Sequence, residues 1–269
     1  MFRALISSAL IVWSAPVAAQ DAAALGDALL LPETVEILRE EGLSYTQDLA
    51  ADLFTGAPSA VWTEAVDAIF DEMILLDGLR DTLAAGLSPE AAGAAIAFYT
   101  SEPGAQIARL ELAARRALLD ETVEETAIRE VGDALRDREP QAIRMRDYVD
   151  RVGMIEEETA SAMTLSLAFT NGLRDGGALG AVDEAAILRD LYDRVPQIRQ
   201  DVTERIYAYF WLAYGPLEEK TIETYLAFLE GEDGTALMEA TFAAYDAVYM
   251  QASRQLGLVA ASQMRGSDL

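Results

Sequence analysis

The stretch Leu87-Ser88-Pro89-Glu90, followed after five residues by Ile96-Ala97-Phe98-Tyr99-Thr100-Ser101-Glu102-Pro103-Gly104-Ala105-Gln106-Ile107, is written a second time in this chain. The second version reads Leu217-Glu218-Glu219-Lys220, five residues, then Leu226-Ala227-Phe228-Leu229-Glu230-Gly231-Glu232-Asp233-Gly234-Thr235-Ala236-Leu237. With no gap, Leu87, Ala97, Phe98, Glu102 and Gly104 fall on Leu217, Ala227, Phe228, Glu232 and Gly234, an offset of 130 residues. Self-similarity at a fixed offset predicts two tandem copies of one module, residues 20–138 and 139–269.

Local signals inside the unit are helical. Ser88 suits an N-cap, Pro89 the first helical position, and Glu90 the positive end of the helix dipole. That helix carries Phe98 and Tyr99 and then meets Pro103, which would cost about 3 kcal/mol in a helix interior. Ser101 is therefore expected to cap a second helix beyond a bend, and Gly231 takes its place in the second copy. Glycine costs about 1 kcal/mol against alanine inside a helix. The matched Gly104 and Gly234 therefore predict a close backbone crossing at each bend, where a leucine would lower the melting temperature.

Helical period extends through nearly all of the remaining chain, and no run alternates convincingly as a strand, so the expected class is all-α. One helix is expected from Pro32 to Gly56, and another from a Ser59 cap through Trp62, Val66, Ile69, Phe70 and Met73, loosening at Asp77-Gly78. The helix after the first bend is expected to run from Ile107 through Leu135 to Glu139-Pro140, the boundary between the copies. Gly172–Gly180 reads as a glycine-rich break, and Pro196 as a fresh helix start. Residues beyond Gly257 are expected to fray, with Arg265–Leu269 disordered. Aromatic residues between Tyr207 and Tyr214 cover every side of their helix, which describes a central, buried element. The alternative is the wall of an apolar ligand pocket formed by Tyr207, Phe210, Trp211 and Tyr214.

The motif Leu87, Ser88, Pro89, Glu90, then Ala97, Phe98, Tyr99, Ser101, Gly104 and Gln106, resembles the exported bacterial family known as "domain of unknown function 2059". The second copy resembles a degenerate version, with Leu229 for the tyrosine, Gly231 for the serine and Ala236 for the glutamine. The resemblance implies an exported helical domain with no established activity, and it carries over no catalytic residue.

Residues 1–19 have the form of a cleaved signal peptide. Arg3 precedes an apolar core from Ala4 to Trp13, and Pro16-Val17-Ala18-Ala19 offers small residues for a cut before Gln20. The apolar run is shorter than the roughly 20 residues that span a bilayer. A periplasmic protein is expected, with secretion as the other possibility, and with no span in the mature chain. Removal of Arg3 leaves 19 basic and 46 acidic residues, a net charge of −27. Such a surface repels nucleic-acid phosphates and anionic headgroups.

Cysteine and histidine are both absent, so disulfides, Ser-His-Asp triads and histidine-ligated metals are excluded. Lys220 is the sole lysine, and Leu217 stands where a Ser-x-x-Lys acylase would need serine. No segment fits a calcium loop; near Asp175-Gly176, Leu173 occupies a ligand position. No cofactor or metal is expected. The leading functional expectation is a non-enzymatic cell-envelope interaction module, its partner an envelope protein met at a concave face or inter-module groove. A periplasmic carrier of a small apolar ligand comes second, and a carboxylate-based glycan hydrolase third.

Overall fold

The computed structural model describes residues 19–54, 56–180 and 184–266, so all but the last residue of the expected signal peptide, 1–19, lies outside the described residues. These residues form twelve α-helices and no strand: α1 (Ala19–Ala28), α2 (Leu31–Leu53), α3 (Ala60–Ile69), α4 (Glu72–Gly86), α5 (Pro89–Tyr99), α6 (Gly104–Ala117), α7 (Glu121–Arg136), α8 (Pro140–Val152), α9 (Met154–Asp175), α10 (Glu184–Tyr214), α11 (Glu219–Leu229) and α12 (Glu232–Gly266).

Caps set several of these boundaries. Ser59 accepts from the Trp62 N–H at 3.2 Å, and Ser88 from the Ala91 N–H at 3.1 Å. Two aspartates break helices that apolar periodicity would have run together. Asp71 accepts from the Met73 and Ile74 N–H groups, and Asp120 from those of Thr122 and Val123. Each satisfies donors that would otherwise be orphaned at a helix start. After the Asp71 break the buried stripe restarts as Leu75, Leu79 and Leu83, leaving Met73 73% exposed rather than in the core. Gly78 does not loosen α4, because it lies where α12 comes near: a Cβ there would sit 3.0 Å from Val248 Cγ2.

Three further expectations are corrected by packing. Pro196 lies inside α10 instead of restarting a helix. Its lost hydrogen bond is tolerated on an exposed face, since Leu191 and Ile206 anchor the helix on either side. Gly172 belongs to α9, and the glycine-rich break shrinks to residues 176–180. Gly177, at φ 80°, ends α9 with the Ala178 N–H donating to the Leu173 carbonyl at 2.9 Å. Beyond Gly257 the helix does not fray; Ala260 and Ala261 are buried, and Arg265 donates to the Gly176 carbonyl. Residues 267–269 lie outside the described ones.

Two apolar cores hold the helices. The larger gathers Leu25, Leu38, Trp62, Leu79 and Ala95 with Leu237, Ala244 and Leu256 of α12. The smaller joins Val131 of α7 to Met145, Val149, Ile155, Ile206 and Phe210. Both draw on residues from either side of Glu139. The longest interface is α9 against α12, where Gly172 and Gly257 meet: a Cβ on either would lie 2.9 Å from the other's Cα.

At the two bends the backbone geometry is alike. A Cβ on Gly104 would run into the Phe98 carbonyl oxygen, and one on Gly234 into that of Phe228. Ser101 does not cap α6; its hydroxyl turns back to donate to the Ala97 carbonyl at 2.8 Å. The Phe98 and Phe228 rings stack face to face, with centroids 4.1 Å apart and planes 4° from parallel.

Candidate functional site

Beneath that stack, α6 carries two opposite charges one turn apart on its inner face. Ile107 and Ala114 of the same face are buried, so Glu111 and Arg115 are drawn inward with them. Tyr214 of α10 donates to Glu111 Oε1 at 2.5 Å, and Tyr225 of α11 donates to the same oxygen at 2.9 Å. The Tyr225 and Tyr99 hydroxyls stand 3.2 Å apart, which brings α5 into the chain of hydrogen bonds. Arg115 takes the other direction. Its Nε and Nη2 donate to the two carboxylate oxygens of Glu41 on α2 at 3.0 and 2.8 Å, and Nη2 also donates to the Tyr249 hydroxyl of α12 at 2.8 Å. The guanidinium lies 5.6 Å from the centre of the Tyr245 ring.

Glu111 makes no ion pair among the described residues, and Arg115 is committed to Glu41. Burial therefore pushes the Glu111 carboxyl above the ordinary carboxylate range, partly offset by the two tyrosine hydroxyls that favour the anion. Burial, with the Glu111 charge second, in turn pushes Tyr99, Tyr209, Tyr214 and Tyr225 upward. A carboxyl whose folded pKa is raised contributes stability below its unfolded value that is lost as pH rises through the folded one. Glu111→Gln keeps the acceptor oxygen and removes the proton. The variant should match the parent near pH 4 and melt higher at pH 8. Thermal melts of both proteins across that range check the sign; a variant that loses stability relative to the parent as pH rises would contradict the assignment.

The sequence singled out part of this cluster. Tyr99 and Tyr214 belong to it, and Phe98 and Phe228 roof it. Phe210 is buried in the smaller core with its ring 4.8 Å from that of Tyr214, while Tyr207 and Trp211 pack at that core's edge. Ser88 caps α5, Glu90 is exposed in its first turn, and Gly104, Gly231 and Gly234 shape the bends. Glu41, Glu111, Arg115, Tyr225 and Tyr249 carry no motif that marks them in the sequence. The available signal was the placement of Glu111 four residues after Ile107, on an apolar stripe.

Above the bend, Glu102, Pro103 and Gln106 from the first matched segment, with Arg109 just beyond it, face Lys220, Thr221 and Thr224 of the second across an open groove of about 590 Å³. Arg109 is bridged to Glu102 at 2.9 Å, whereas the Lys220 ammonium makes no ion pair among the described residues. Among those residues there is no cluster of three or more acids placed to hold a metal, and no helix is long and apolar enough to cross a membrane. No family model matches the chain, and no curated protein or solved structure is significantly similar to it.

Proposed function

We propose that this protein is an exported, non-enzymatic interaction module of the cell envelope, built from two copies of one helical unit of the "domain of unknown function 2059" kind. The observation that carries the reading is the groove between the two matched segments. It is open and lined largely by polar residues, and it presents Lys220 beside the Arg109–Glu102 pair on a chain whose net charge is −26. Such a surface suits a polar segment of a partner protein better than an apolar small molecule. The polar groups below the groove are bonded to one another, so the site positions helices rather than reactants. The stack of Phe98 on its counterpart Phe228 and the like geometry at Gly104 and Gly234 support the repeat. The glycan-hydrolase alternative has less support, because tyrosines enclose Glu111.

Export is tested by N-terminal sequencing of the protein recovered from the envelope, which should begin at Gln20; a start at Met1 removes the reading. Since α1 begins at Ala19, that cut leaves the helix nearly whole. For the groove, a photo-crosslinking residue placed at Thr221 should give a discrete adduct in the native envelope. Lys220→Glu combined with Arg109→Glu should abolish it. An adduct that survives the double charge reversal, or none at all, overturns the assignment of the groove.

A further inference from the structure

A second cleft lies between α9 and the first turns of α10, with a volume of about 270 Å³. Its walls are aliphatic: Leu167 from α9, Leu179 from the connecting loop, and Ile187 with the buried Leu191 from α10. Ser166 and Thr170 line one side, the Thr170 hydroxyl donating to the Ser166 carbonyl at 2.9 Å so that its oxygen remains to accept. At about 30 Å³ per water, the space holds roughly nine water-sized groups. That is the size of a small metabolite, well below a lipid.

The remaining lining residues are Asp190 and Arg194. They stand four residues apart with the acid first, the helical arrangement that favours an ion pair. Yet neither makes an ion pair with the other or with any described residue. Among the described residues Arg129, Arg138, Arg144, Arg189 and Arg265 likewise make no ion pair, but of these six arginines Arg194 is the one that lines the cleft. Most other arginines are bridged, including Arg39, Arg80, Arg115, Arg151 and Arg254. The cleft thus presents a separated anion and cation beside an aliphatic wall, with hydroxyls to complete the polar contacts.

We propose that this cleft binds a small zwitterion with an aliphatic tail, the chemistry of a free branched-chain α-amino acid. Asp190 receives the ammonium, Arg194 the carboxylate, and Leu167, Leu179, Ile187 and Leu191 enclose the side chain. The assignment is independent of the groove, which lies on other helices.

The test is calorimetric titration of the full mature chain with L-leucine, and with hexanoate and hexylamine, each of which lacks one of the two charges. Saturable leucine binding is expected, at least about tenfold tighter than either half-ligand, each lost charge contact being worth a tenfold change or more. Asp190→Asn and Arg194→Gln should each weaken leucine by about tenfold; both side chains are exposed, so neither change disturbs the fold. No saturable heat up to about 10 mM leucine, where even a millimolar site would fill, overturns the proposal. So does hexanoate or hexylamine binding as tightly as leucine, or leucine binding indifferent to both substitutions.

Discussion

Gly257→Ala should lower the melting temperature by about 6–12 °C. At the α9–α12 crossing a new Cβ would meet the Phe169 carbonyl and, at 2.9 Å, the Gly172 Cα. Both obstacles are backbone, so no side chain can swing away and the helices must part. Overpacking of this kind costs about 3 kcal/mol, and each kcal/mol moves the midpoint of a chain this size by about 2–4 °C. Ala260 and Ala261 lie farther along the same helix, fully buried, so a shift at Gly257 propagates into the larger core. Gly132→Ala in α7 is the matched control, because nothing lies within 4 Å of its Cβ. There the usual helix preference should stabilise by about 0.5–1 kcal/mol. Opposite signs at the two sites are the expected result of calorimetry; equal effects would mean that the crossing is looser than its geometry.

Arg115→Met should be nearly as damaging, at about 2–3 kcal/mol. It strands the Glu41 carboxylate and deprives the Tyr249 hydroxyl of its partner. Removing one member of a buried pair costs about 3–5 kcal/mol, trimmed here because the two side chains keep 27% and 29% exposure. Adding Glu41→Leu removes the stranded charge, so the double variant should recover most of the loss. Urea titrations of both single variants and the double close the cycle. A double variant no better than Arg115→Met would show that packing of the arginine stem, not charge pairing, holds α2 on α6.

Helix content was legible because period 3.6 survives in single segments, and Ser59 and Ser88 announce their caps within three residues. Asp71 and Asp120 carry the same signal, but the apolar pattern runs across both, and a cap outweighs continuity only when a neighbouring helix rewards the turn. Pro196 misleads in the opposite sense: packing on both flanks absorbs one lost hydrogen bond. Gly172 and Gly257 read as a break and a fraying point, because a glycine spared for a helix crossing looks locally like a glycine that ends a helix. The Glu111–Arg115 cluster was the least visible. Its partners Glu41, Tyr225 and Tyr249 lie 74, 114 and 134 residues away, and a charge on one helix reads as solvated until the helices that cover it are placed.

The placement of α12 sets the order in which this molecule can be completed. Its 35 residues follow those of the other eleven helices, yet Leu237, Ala244 and Leu256 fill the same core as Leu25, Leu38 and Leu79. A ribosome releases the N-terminal helices first, and until α12 emerges they lack that partner. The nascent polypeptide thus stays unlocked until α12 is made, and that helix acts as the keystone whose arrival closes the larger core.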